Sequence, residues 1–148
     1  MRSEFMKELW GRTASRERGE SSFEKKAIEL FFEIKANAEG NGVLEQLVGD
    51  FESAAVRYAS TIARWEETRM SRSELDDFTN AEMAREKAHD SFVDSANILS
   101  RAFRKNGLDN RWRGKMGTDR KEIGPWGIEI AHFIAKSQTS QEGEPYEH

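Results

Sequence analysis

The first proline of this chain stands at position 125. Proline lacks a backbone N–H and clashes with the carbonyl four residues back, so it breaks helices from within. Nothing of that kind interrupts the residues before it, and apolar residues recur there at helical spacings of three and four. The pattern predicts an all-α fold: an antiparallel bundle of three long helices plus a short fourth, with a short helix at the N-terminus. Three segments follow from the same pattern. Residues 1–20 read as a short helix and linker, 21–136 as the bundle, and 137–148 as a disordered acidic tail rich in Ser, Gln, Glu and Gly.

The boundaries are drawn by turn chemistry. Phe5, Met6, Leu9 and Trp10 share one side of a short helix, followed by a polar stretch from Gly11 to Ser22. Ser21 with Glu24 forms a capping box, and Gly40-Asn41-Gly42 supplies the left-handed stop. In this first long helix Phe23, Ala27, Ile28, Leu30, Phe31, Phe32 and Ile34 cover about half the circumference. So wide a stripe fits either a central position or a homodimer face. The second helix, 43–70, carries Leu44, Val48, Phe51, Ala55, Tyr58, Ile62 and Trp65 in alternating steps of four and three, as in a coiled-coil seam. A second capping box, Ser71 with Glu74, and a short connection predict an antiparallel hairpin with a third helix, 74–106, closed by Gly107. Residues 108–123 read as irregular. A last short helix starts at Pro125, with Trp126, Ile130, Phe133 and Ile134 facing the core.

Composition narrows the function classes. Hydrophobic residues are 36% and charged residues 34% of the 148, which suits long helices with wide wet faces. No cysteine occurs, so a disulfide scaffold and thiolate chemistry are excluded, and a reducing cytoplasm is expected. The first twenty residues hold five basic and four acidic side chains without an apolar run, so no secretory leader and no membrane anchor is expected. There is no Gly-rich phosphate loop and no nucleophile motif, and no catalytic constellation or cofactor is expected.

Two places depart from a plain amphipathic bundle. On the third helix the apolar face is set by Phe78, Ala81, Ala88, Phe92, Ala96, Leu99 and Phe103. At 100° per residue Arg85 falls at the centre of that face, His89 lies beside it and Glu82 at its edge. An unpaired charge there would cost several kcal/mol, so a partner is required. Glu82, Glu24 and Glu52 are the candidates. Glu82, Arg85 and His89 then form either a buried polar cluster that fixes register or a ligand site with Arg85 as anion clamp and His89 as proton carrier.

The second departure is charge. Residues 101–121 contain eight basic and two acidic side chains, +6 in a chain whose net charge is −4. Arg111-Trp112-Arg113-Gly114-Lys115 interleaves an aromatic with cations, a combination that can grip phosphates and stack a base. Arg104, Arg111, Trp112, Arg113, Lys115 and Arg120 are the candidate contacts for nucleic acid or an acidic protein. The alternative is a solvated loop whose Trp tucks into the bundle. Glu86-Lys-Ala-His89 and Glu129-Ile-Ala-His132 match the Glu-x-x-His pattern of di-metal bundles. On a helical wheel, however, His132 points away from the core and Glu129 to the side, so no metal site is expected.

Asp76-Asp77, Arg85, His89-Asp90 and Asn97 along one amphipathic helix resemble an uncharacterised family of small bacterial helical proteins, a domain of unknown function found in chromosomal and mobile-element genes. The resemblance covers roughly residues 55–106 and implies no activity. Arg85 and His89 also invite comparison with the HEPN ribonucleases. Their Arg-to-His motif has four to six intervening residues, against three here, and a polar residue straight after the Arg, where Glu86 stands. Three function classes remain. The first is a non-enzymatic interaction module, working on a protein or nucleic-acid partner or as a homodimer, through the basic Trp112 segment. The second is a ligand-binding or RNA-processing enzyme centred on Arg85 and His89. The third, suggested by the mobile-element resemblance, is an inhibitor of a host defence system.

Overall fold

A computed structural model describes residues 21–70 and 75–143. The expected N-terminal helix, the Ser71–Glu74 capping box and the last residues of the tail lie outside the described residues. Those described form an all-α bundle. Its helices are α1 (Ser21–Ala38), α2 (Gly42–Met70), α3 (Leu75–Lys105), the short α4 (Trp112–Met116) and α5 (Pro125–Gly143). A 3₁₀ turn, Thr118–Arg120, separates α4 from α5. No described helix is long and apolar enough to cross a membrane.

Local chemistry sets each junction. Gly40 adopts φ +86° after α1. Asn41 then caps α2, its Oδ1 accepting the N–H groups of Val43 and Leu44 at 3.1 Å each. At the end of α3, Gly107 has φ +72°, the Gly107 N–H reaches the Arg104 carbonyl and the Leu108 N–H reaches that of Phe103. That is the Schellman arrangement, and it turns the chain back on α3.

Helix α2 is the hub. It packs most extensively on α3, then on α5 and α1, while α5 also packs on α1. Its seam residues Leu44, Val48, Phe51, Ala55, Tyr58 and Ile62 are buried, and only Trp65, near the end, is partly exposed. The rings of Phe31, Phe51, Phe92 and Tyr58 make a continuous aromatic series through the centre, with centroids 5.1–6.3 Å apart. Leu99 and Phe103 extend it along α3.

Three expectations are corrected. The stripe of α1 is narrower than half the helix: Ala27, Leu30, Phe31 and Ile34 are buried, but Phe32 is 52% exposed. Helix α5 is not short, because it runs on through Ser137 to Gly143. Polar composition does not forbid helical hydrogen bonding, and the next proline is Pro145. Glu129 is buried rather than turned aside, and His132 is half-buried. With α1, α2 and α4 all packed on α5, one flat core face does not describe it.

Candidate functional site

The segment expected to be an irregular loop, 108–123, is a folded strap. After Gly107 it runs back along one flank of α3, tied down at successive turns. Asn110 donates from Nδ2 to the Ser100 carbonyl and hydroxyl at 3.2 and 3.0 Å. Trp112 meets Phe103 edge to face at 5.5 Å. Asn97 does two jobs: its Oδ1 accepts from Arg113 Nε at 2.8 Å, and its Nδ2 donates to the Thr118 carbonyl at 3.1 Å. The Ile123 N–H closes the series by donating to His89 Nε2 at 3.1 Å. The strap covers a second stripe of α3, in which Val93 and Ser100 are buried beside the one facing α2. Gly117, at φ +87°, makes the return possible, since a Cβ there would sit 2.6 Å from the Glu122 carbonyl oxygen.

This geometry gives His89 a definite state. Nε2 accepts from a backbone N–H, so the neutral ring carries its proton on Nδ1, which lies 3.1 Å from Asp90 Oδ1. Both nitrogens therefore have a partner within the fold. The ring also stands edge-on to Tyr58, with centroids 5.7 Å apart. Arg85, expected to meet a carboxylate, instead lies over the face of Trp65, its guanidinium carbon 4.9 Å from the ring centroid. Arg69 approaches the same indole at 4.8 Å and bridges to Glu66 at 3.3 Å. Among the described residues no ion pair joins Arg85 to Glu82, and Glu52 is taken by Lys35 at 3.4 Å. The buried cluster Glu82, Arg85, His89 is thus not a closed ionic network. Its three side chains are half-buried, and Arg85 and His89 turn to separate partners. Tyr58 senses both. It meets the His89 ring, and while burial pushes its phenol above the ordinary value of 10, the Arg85 charge pulls it down and Glu122 adds to the rise.

The basic segment divides in two. Trp112 is 5% exposed, so its indole belongs to the core and is not offered as a stacking platform. Arg113 is half-buried on Asn97 and holds the strap. Arg101, Arg104, Lys105, Arg111, Lys115, Arg120 and Lys121 are exposed. Arg111 is already neutralised, gripping Asp109 through Nε and Nη2 at 2.7–3.1 Å. Those hydrogen bonds lower the Asp109 carboxyl to about 2 and raise Arg111. Lys115 leans over Trp126, 5.7 Å from its centroid. Between α1 and the strap lies a cleft of about 270 Å³, with Leu30, Ile34 and Trp112 among its walls and Arg111 and Lys115 at the strap side.

Among the described residues no three His, Asp or Glu side chains gather as a metal site would require. No protein-family model matches the chain, and neither a curated protein nor a solved structure matches it. Sequence reasoning missed the strap anchors. Asn97 and Ser100 join His89 around Val93 on one flank of α3, and that polar rim beside the apolar stripe was the available signal.

Proposed function

We propose that this protein is a non-enzymatic helical interaction module whose strap, together with the end of α3, binds an anionic surface of a partner protein or nucleic acid. The observation that carries the reading is the exposure of Arg104, Lys115 and Arg120, alongside Arg101, Lys105 and Lys121, on the end of α3 and on a strap hydrogen-bonded to it. Such anchoring lowers the ordering cost of binding. With Trp112 buried, contact runs through charge and not through base stacking, which favours carboxylate or backbone-phosphate recognition over single-stranded bases. The absence of cysteine fits a cytoplasmic setting.

The test is salt-dependent retention on an immobilised polyanion, together with capture of partners, for wild type and for Arg104→Glu, Lys115→Glu and Arg120→Glu combined. Arg113 is left alone because its reversal would break the Asn97 bond. Retention is expected to drop. Its salt dependence should become shallower, by about one unit of log–log slope for each phosphate the variant no longer neutralises. Unchanged retention and unchanged partners would remove the reading. The enzyme reading at Arg85 and His89 is weaker, since both imidazole nitrogens are occupied by structural partners.

A further inference from the structure

Of the ties that bind the strap to α3, one is made by an imidazole, a side chain able to gain a proton and a charge. Ser100, Asn97, Phe103, Asn110 and Thr118 do not titrate. His89 does, and it holds the strap where it enters the core, at Ile123, which is 7% exposed. We infer that His89 is a proton-operated latch: it holds the Ile123 end of the basic strap against α3 while neutral and releases it when protonated.

The chemistry is a donor count. In the neutral ring Nε2 offers a lone pair to the Ile123 N–H. Protonation places a second N–H on Nε2, facing the first, and two donors cannot bond to each other. The Ile123 amide must turn away or stay buried without an acceptor, which is unfavourable. The ring side chain is 20% exposed, so a proton can reach it.

The groups around it define the balance. Asp90 on α3 lies 3.1 Å from Nδ1, and Glu122 is the strap residue next to Ile123. Arg85 lies one turn earlier on α3, and Lys121 is exposed on the strap. From α2 the Tyr58 ring meets the imidazole edge-on, its phenol raised above the ordinary value of 10 by burial. Glu86 lies exposed nearby on α3.

Release would not unfold the strap as a whole, because Asn97 and Ser100 still hold its first half. It would loosen the chain between Thr118, still held by Asn97, and Ile123, changing the placement of Lys121 relative to Arg104 and Lys115. That consequence for binding rests on the reading under Proposed function, whereas the latch does not.

The experiment follows the Ile123 amide of the full chain by hydrogen exchange, expressed as a protection factor to cancel intrinsic pH effects, beside the ring signals of His89. The expected result is a loss of about tenfold in Ile123 protection as the ring protonates, with the Phe51 and Leu99 amides unchanged. In His89→Gln, which keeps an acceptor but cannot titrate, the step should vanish. Constant Ile123 protection while the wild-type ring titrates would overturn the latch, and so would an equal step in His89→Gln. Should that variant not fold, the wild-type comparison of ring and amide decides by itself. Polyanion retention answers the separate question: failure of the charge-reversal test sinks the binding surface and leaves the exchange result standing.

Discussion

Tyr58 shows how a single side chain can tie stability to pH. Its phenol is buried, and its proton affinity is raised above the ordinary value of 10. In the unfolded chain it ionises near that value, while in the folded chain it holds its proton longer. Above pH 10 the unfolded state therefore binds fewer protons, and stability falls as pH rises. The contribution is complete below pH 10 and is lost on going from there through the raised value. Denaturation of wild type and Tyr58→Phe, followed over about one pH unit either side of the free phenol value, should show the steeper alkaline loss in wild type. Equal slopes would mean that the phenol is not desolvated.

Arg85 and Gly117 make contrasting single-residue cases. Arg85 has an aromatic face in place of a counter-ion, so Arg85→Met, which keeps the hydrophobic stem, should cost about 0.5–2 kcal/mol, the range of a cation–π contact. Gly117→Ala asks a side chain to enter the left-handed region against the Glu122 carbonyl. About 1–3 kcal/mol of strain is expected, visible in urea titration as a lower midpoint at unchanged slope.

At the scale of elements, the strap is the part that composition hides. Long helices are legible because their periodicity repeats over many turns, and the Leu44-to-Ile62 seam is buried as the spacing implies. Residues 108–123 have no period, so their fold depends on tertiary bonds from Asn97, Ser100 and His89. A wheel drawn for one core face cannot show a second stripe on the same helix. Arg85 is legible as an anomaly, but its solution is not, because the partner is an indole on another helix rather than a carboxylate. The strap also carries its own brake on charge. Asp109 holds Arg111, and Asp109→Asn should free that guanidinium and strengthen retention on a polyanion at low salt. The pair is on the surface, so the same change should leave thermal stability nearly untouched. Its carboxyl keeps the contact at any pH above about 2.

For the whole molecule, the arrangement round α2 makes the core a shared property of four helices. Phe51 is fully buried and touches the rings of Phe31 and Phe92, so it joins α1, α2 and α3. Phe51→Ala should cost about 3–5 kcal/mol, mostly as an unfilled cavity. Loss on that scale rivals the total stability of many domains, so the variant is expected to populate the unfolded state measurably in calorimetry. A small loss would mean that the neighbouring rings collapse into the space.

The contact of Phe31 with Phe133, at 6.2 Å, joins helices from opposite ends of the chain. Packing α2 on α3 needs only a short hairpin, whereas α5 must close a very long loop before it meets α1. Loop-closure entropy then orders the events: the hairpin assembles early and α5 docks late. Substitutions at Phe133 should accelerate unfolding and leave the folding rate alone, while those at Phe92 should slow folding.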